Sequence, residues 1–129
     1  AIAGILAINP KILVLDEPVA GLDPQFSKAM MKLFLELNRT YHMTVLIVTH
    51  NMEHVLTYSD EVVVVDQGKV IRHVSKDEFF TDDEILNELR IAPPAIINVK
   101  ALLKAKGMNI TGHHLDLASL TDAIVKEIK

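Results

Sequence analysis

The hydrophobic residues of the chain form two short uninterrupted runs, separated by an amphipathic segment. Residues 11–16 and residues 44–50 each contain a four-residue apolar core without alternation, which is typical of strands in a sheet that is covered on both faces. Asp23 and Pro24 then resemble the N-cap and first turn of a helix, which we expect to end near Arg39. The expected buried stripe of this helix is Phe26, Met30, Leu33, Phe34 and Leu37. Strand, helix and strand in this order predict a right-handed βαβ unit with two parallel strands.

A different pattern follows the βαβ unit. Residues 52–58 predict a short helix, and residues 61–74 contain two strands around a turn at residues 66–69, which is typical of a β-hairpin. Beyond the hairpin, the sequence is helical, with two expected capping boxes at helix starts: Ser75 with Glu78, and Thr81 with Glu84. We therefore predict an α/β core in residues 1–74 and a small helical subdomain in residues 75–129.

Composition and charge narrow the class of protein. The 129 residues include no Cys, which excludes disulfides and Cys-ligated zinc. The 13 Lys and Arg residues are scattered among 17 Asp and Glu residues, a distribution that argues against binding of nucleic acid. No apolar run reaches the roughly 18 residues that a membrane-spanning helix needs. Half of the residues are nevertheless hydrophobic, so we expect part of the apolar surface to be covered by segments or partners outside this chain.

The first residues support that expectation. Ile2, Ile5 and Leu6 already have helical spacing, although no capping residue precedes them and the first residue is Ala rather than Met. We therefore expect the sequence to begin inside a helix of a longer protein.

Polar side chains follow both predicted strands at the point where each strand ends. Because parallel strands end at the same edge of a sheet, Asp16, Glu17 and His50 are expected to share that edge. Asp16 suits Mg²⁺, which takes one or two carboxylates from a protein and further oxygens from phosphates. Glu17 could polarise a water for attack on a terminal phosphate, and His50 could contact the same phosphate. The alternative is that the two acids merely solvate the end of a strand.

These residues also resemble a known family. ILVLDEPVAGLD followed by VLIVTH resembles the Walker B, D-loop and H-loop motifs of ATP-binding-cassette ATPases, in the same order. The resemblance implies a partial P-loop NTPase sheet with ATP and Mg²⁺ as cofactors. The roles that it implies are Asp16 as the Mg²⁺ ligand, Glu17 as the catalytic base, His50 as the switch histidine, and Gly21 and Asp23 in the nucleotide-binding D-loop.

Two motifs of that family do not occur in the 129 residues: the phosphate loop G-x-x-x-x-G-K-[ST] and the L-S-G-G-Q signature. The amides and lysine of a phosphate loop supply most of the anion binding, whereas Asp16 and Glu17 alone would repel a triphosphate. We therefore expect this chain to be the carboxyl-terminal portion of a longer ATPase and to bind ATP poorly by itself. The family's sheet order places the missing phosphate-loop strand inside the sheet, which predicts self-association of the isolated chain through unpaired edges.

The tail at residues 76–107 resembles the helical extension of energy-coupling-factor ATPases, the cytoplasmic subunits that drive vitamin or cobalt and nickel importers. This resemblance implies ATP hydrolysis coupled to import at the cytoplasmic face of the membrane. It also implies a second ATPase subunit, identical or not, and transmembrane subunits as partners. A non-transport ATPase of DNA repair or translation is the first alternative, which the acidic, aromatic-poor tail disfavours. A non-catalytic interaction module is the second, which the presence of Glu17 and His50 disfavours.

His113 and His114 are the other candidates for a metal site, with Asp116 as their nearest acid. Adjacent side chains on a helix or strand point in different directions. We therefore expect no metal site at this pair.

Overall fold

The computed structural model describes residue 4, residues 8–108, residue 110 and residues 117–128. The elements are β1 (Ile12–Asp16), α1 (Pro24–Tyr41), β2 (Thr44–Val48), α2 (Met52–Tyr58), β3 (Glu61–Asp66), β4 (Lys69–Ser75), α3 (Lys76–Thr81), α4 (Asp83–Glu88), α5 (Ala95–Ala105) and α6 (Leu117–Ile128). The predictions for Ile2, Ile5, Leu6, His113, His114 and Asp116 lie outside the described residues.

The chain divides into two compact units, Ala1–Asn51 and Met52–Lys129. This division follows the contacts within the chain and differs from the predicted boundary between residues 74 and 75. The boundary between residues 74 and 75 stays a prediction.

The first unit contains the predicted βαβ arrangement. Strands β1 and β2 pair in parallel, with Ile12 opposite Thr44 at one end and Asp16 opposite Val48 at the other. The parallel pairing confirms the prediction, and it places the residues that follow β1 and β2 at one edge of the sheet.

Helix α1 begins at the predicted cap. The carboxylate of Asp23 accepts hydrogen bonds from the backbone N–H groups of Gln25 and Phe26, both at 3.0 Å, and Pro24 occupies the first turn. The helix ends at His42, whose left-handed backbone (φ 53°) donates its N–H to the carbonyl of Leu37.

The buried face of α1 differs from the predicted stripe. Phe34 and Leu37 are buried as expected, but Phe26 is 59% exposed and Leu33 is also exposed. The residues that complete the buried face are Ser27 and Met31. They recur with Phe34 at a spacing of four and three residues, so the helix presents this row to the sheet rather than the adjacent apolar row that begins at Phe26.

The sheet of the first unit is covered on one face only among the described residues, which corrects the prediction of two covered faces. Leu13 and Leu15 are buried, whereas Ile12 and Val14 are each 63% exposed. On β2, Leu46 and Val48 are exposed as well. Successive side chains of a strand point to opposite faces, so these residues form one apolar surface, which we call the open sheet face (Ile12, Val14, Leu46 and Val48).

The second unit begins with α2 and the predicted hairpin. Strands β3 and β4 pair antiparallel, from Glu61 opposite Ser75 to Asp66 opposite Lys69. Gln67 and Gly68 have φ values of 45° and 76°, the left-handed pair that a two-residue hairpin turn of type I′ requires.

A cluster of apolar residues forms the core of the second unit. In it, the rings of Phe79 and Phe80 pack edge to face, with their centroids 5.0 Å apart. Its buried members are Leu56, Phe79, Phe80, Ile85, Leu86, Ile96 and Leu120. No helix in the described ranges has the length and apolar character that crossing a membrane would require.

The two predicted capping boxes have different outcomes. The hydroxyl of Ser75 accepts the N–H of Glu78 at 3.2 Å, as the first box predicts. The second prediction is wrong, because Asp82 caps α4 by accepting the N–H groups of Glu84 and Ile85. Thr81 is the last residue of α3, and its hydroxyl donates to the carbonyl of Asp77 instead.

Candidate functional site

Asp16 and Glu17 lie where β1 leaves the sheet. Asp16 is the last residue of the strand and is exposed, and its carboxylate makes no hydrogen bond or ion pair to any described residue. The N–H of Glu17 donates to the carbonyl of Val48 at 2.9 Å, which adds one bond to the sheet after the strand ends.

The backbone of Glu17 is left-handed, with φ 42°. For a residue other than glycine this conformation costs about 1–3 kcal/mol, and it persists only where the surrounding structure enforces it. The bond to Val48 and the turn that follows provide that enforcement here. This backbone conformation therefore sets the position and direction of the Cα–Cβ bond of Glu17.

A compact turn connects Glu17 to α1. The N–H of Ala20 donates to the carbonyl of Glu17 at 3.1 Å, and the N–H of Leu22 donates to the carbonyl of Val19 at 3.3 Å. Gly21 has φ 75°, a value that favours glycine. Asp23 uses its carboxylate to cap α1, so its observed contacts are structural and its predicted role toward nucleotide stays a prediction.

The carboxylate of Glu17 meets the residues that follow β2. Its Oε1 accepts the backbone N–H of His50 at 3.0 Å and lies 2.6 Å from His50 Nδ1. Its Oε2 accepts the hydroxyl of Thr49 at 3.3 Å. The structure thus joins two of the predicted site residues, Glu17 and His50, in direct contact at the shared edge of the sheet.

These hydrogen bonds favour the charged form of Glu17. The hydrogen bond from the His50 ring is the largest of the effects that lower the pKa of Glu17, with smaller contributions from the His50 backbone and Thr49, and partial burial opposes them. The Glu17 side chain is 33% exposed, whereas that of His50 is 89% exposed. These contacts favour the ionised carboxylate, the form that can accept a proton.

Thr49 is the residue of the site that the sequence prediction missed. Its hydroxyl donates to Glu17 while its oxygen accepts the backbone N–H of Asn51 at 3.1 Å. The signal in the sequence is the polar pair Thr49-His50 that ends an otherwise apolar strand. Only the histidine of that pair was assigned a role.

The acids at this edge could hold a metal ion only if most of its ligands came from phosphate or water. The described part of the chain contains no group of three or more His, Asp or Glu side chains arranged for a metal ion. Mg²⁺ often takes a single carboxylate from the protein and completes its shell with phosphate oxygens and water. The exposed carboxylate of Asp16, which has no partner among the described residues, fits such a metal when it arrives with a phosphate ligand.

Comparison with known proteins was made on sequence first. No protein-family model matches the chain. The energy-coupling factor transporter ATP-binding protein EcfA2 of Lactobacillus delbrueckii subsp. bulgaricus is 42% identical over 129 residues, which is all of this chain and 45% of the relative. The EcfA2 protein of Spiroplasma kunkelii is 44% identical over 111 residues, or 86% of this chain and 36% of the relative. The chain thus spans less than half the length of the curated relatives that it matches.

Solved structures give the same result. CbiO1 of Clostridium perfringens, part of the ABC transporter complex CbiONQ, is 37% identical with a TM-score of 0.57 over 78% of this chain and 40% of that one. MJ1267, an ATP-binding cassette of an ABC transporter, is 30% identical with a TM-score of 0.57 over 70% of this chain and 37% of that one.

The fold, the edge site and these likenesses define the class: the chain corresponds to part of an ATP-binding-cassette ATPase. Within that class, the chain is homologous to the EcfA2 ATP-binding proteins of energy-coupling factor transporters, over a part of their length.

Proposed function

We propose that this chain is the portion of a transporter ATPase that carries its Walker B, D-loop and H-loop residues, and that the full-length protein hydrolyses ATP to drive import of a vitamin or a metal ion. The observation that carries the proposal is the direct contact between Glu17 and His50 across two parallel strands. The likeness to transporter ATP-binding proteins supports it.

Each residue of the edge site has a role in the proposed reaction. Glu17, ionised and held by Thr49 and His50, would take a proton from the water that attacks the terminal phosphate. The ring of His50 contacts Glu17 through Nδ1, and its Nε2, which has no partner among the described residues, would contact that phosphate. Asp16 would hold Mg²⁺, which supplies charge neutralisation for the phosphates.

The turn between β1 and α1 has a separate role in this proposal. Gly21 and Asp23 lie in the D-loop at the start of α1, where they would contact nucleotide together with a second ATPase subunit. That subunit could be a copy of the same protein or a different one. Transmembrane subunits would be the further partners, which would place the ATPase at the cytoplasmic face of the membrane.

The 129 residues on their own are not expected to hydrolyse ATP. The carboxylates of Asp16 and Glu17 repel a triphosphate, and no phosphate-loop sequence occurs in this chain to offset them. A titration with MgATP that gives micromolar affinity for the isolated chain would contradict this part of the proposal.

A substitution of the proposed base tests the assignment in the full-length ATPase. Glu17→Gln keeps the size of the side chain and removes the base, so we expect kcat to fall by about 10²- to 10⁴-fold while MgATP binding is retained. Glu36→Gln on the exposed face of α1 makes the same chemical change away from the edge and is the control. Turnover by Glu17→Gln at the parental rate would show that the base lies elsewhere.

The two alternative functions predict different partners. A DNA-repair or translation ATPase would bind nucleic acid, and an interaction module would need neither Glu17 nor His50. The relatives described above are all named as parts of transporters. Co-purification of the full-length ATPase with membrane subunits would support the transport function.

A further inference from the structure

The hydroxyl of Thr49 lies in the middle of a chain of hydrogen bonds that ends at the proposed base. The N–H of Asn51 donates to Thr49 Oγ1 at 3.1 Å, and the Thr49 hydroxyl donates to Glu17 Oε2 at 3.3 Å. Because the N–H of Asn51 occupies a lone pair of the Thr49 oxygen, the hydroxyl proton is directed toward Glu17. The orientation of this donor is therefore fixed by the backbone that follows β2.

The two oxygens of Glu17 are occupied unequally. Oε1 faces two donors, the backbone N–H and the ring Nδ1 of His50, and Oε2 faces one, the hydroxyl of Thr49. A carboxylate oxygen accepts about two hydrogen bonds. Oε1 is thus saturated, whereas Oε2 keeps one position for a further donor.

We propose that Thr49 is a positioning residue of the ATPase, which turns the Glu17 carboxylate so that Oε2, and not Oε1, receives the proton of the attacking water. This inference rests on the proposed function. In the step concerned, the water proton passes to Oε2 and the water oxygen forms a bond to the γ-phosphorus. The bond from that phosphorus to the β–γ bridging oxygen breaks, its electron pair leaves with ADP, and Glu17 later loses the proton to solvent.

The contacts of Thr49 explain why the hydroxyl would matter for the reaction. Without it, Oε2 would have no donor among the described residues, and the carboxylate could rotate about its terminal bond, a torsion with broad preferences. Of the residues that the structure describes, His50 alone would then hold the Glu17 carboxylate. A general base that is not held toward its proton loses rate without losing substrate binding.

Three variants of the full-length ATPase test the proposal. Thr49→Val keeps the branched shape and removes the hydroxyl, and we expect kcat to fall about tenfold with KM for MgATP within about twofold. Thr49→Ser keeps both hydrogen bonds, and we expect it to recover most of the parental kcat. Thr44→Val makes the same change at the far end of β2, at an exposed position opposite Ile12, and is expected to leave the rate unchanged.

Hydrogen exchange in the same proteins provides a readout that does not depend on turnover. In Thr49→Val, the amide of Asn51 loses the Thr49 hydroxyl as its acceptor, and the amide of His50 donates to a Glu17 carboxylate that is no longer held in place. Both amides should therefore exchange several-fold faster, while the amides that pair β1 with β2 stay protected. Thr49→Ser and Thr44→Val should exchange like the parent.

Each result decides one of the two proposals. Equal kcat in Thr49→Val and the parent, or equal loss in Thr49→Val and Thr49→Ser, overturns the positioning role. Unchanged exchange at His50 in Thr49→Val overturns it as well. A full-length protein without ATPase activity, or one in which Glu17→Gln is fully active, overturns the proposed function, while the exchange data still report whether Thr49 holds Glu17.

Discussion

Glu17 is held at both its backbone and its side chain by residues that follow β2. Val48 accepts its N–H, while Thr49 and His50 donate to its carboxylate. These partners are neighbours in the chain but lie more than 30 positions away from Glu17. The position of the proposed base therefore depends on the register between β1 and β2, since a slip of one residue would turn each partner to the opposite face.

The contact with His50 predicts a pH dependence of stability. Because it lowers the pKa of Glu17 below the ordinary value of 4.5, the folded state favours the ionised carboxylate. The stabilisation is fully present above the unfolded pKa and is lost as the pH falls through the lowered folded pKa. We expect His50→Ala to have a lower Tm than the parent at about pH 6, and this difference to shrink as the pH falls through the lowered folded pKa of Glu17. Thermal unfolding across that range measures it.

A control separates this effect from the general loss of a histidine. His54→Ala removes a ring that contacts Tyr58 within the second unit, so we expect its effect on Tm to persist in the same acid range. A His50→Ala difference that persists unchanged at low pH would show that the Glu17 contact does not stabilise the fold.

The sequence alone predicted the site residues that carry distinctive chemistry, but it did not predict Thr49. Two acids after one strand and a histidine after the next are visible in the sequence, and parallel pairing brings Glu17 and His50 together. Thr49 could not be assigned in the same way, because a threonine at the end of a strand is ordinary. Its role depends on the direction of one hydroxyl, which the N–H of Asn51 fixes.

At the scale of the element, α1 offers a test of which helix face is buried. Phe34 is almost fully buried and Phe26 is 59% exposed, on the same helix. Phe34→Ala should destabilise the fold by about 3–5 kcal/mol because it leaves a cavity. Phe26→Ala should cost less than about 1 kcal/mol, as changes at exposed positions usually do.

Chemical denaturation of both variants measures these free energies of unfolding. Equal losses in the two variants would mean that the row starting at Phe26 is buried after all.

The elements themselves were largely predictable, because their signals are local. Asp23 and Pro24 mark the start of α1, and the turn at Gln67 and Gly68 marks the hairpin. The buried face of α1 was not predictable, since two neighbouring rows of the helix are apolar and only the position of the sheet selects one of them. The cap of α4 was missed because Thr81 and Asp82 are both good capping residues, and the end of α3 decides between them.

At the scale of the whole molecule, the open sheet face predicts association between copies of the isolated chain. Its four residues are exposed and apolar, and both strands have an unpaired edge among the described residues. Val14→Lys places a charge at the centre of this face, and we expect it to lower the average mass of the isolated chain in solution. Thr40→Lys adds the same charge at the exposed end of α1 and is the control.

Light scattering across the micromolar range measures that mass. An isolated parental chain that stays monomeric, or a Val14→Lys chain that associates as strongly as the parent, would contradict the prediction.

The left-handed backbone at Glu17 has a consequence for protein engineering. A design procedure that considers only the backbone conformation would choose glycine at this position, since glycine adopts it without steric cost. That choice would remove the proposed base and its hydrogen bonds at the same time. Position 17 should therefore be held fixed in any stabilised version of this protein, because the residue that best fits the backbone there differs from the one that the proposed function needs.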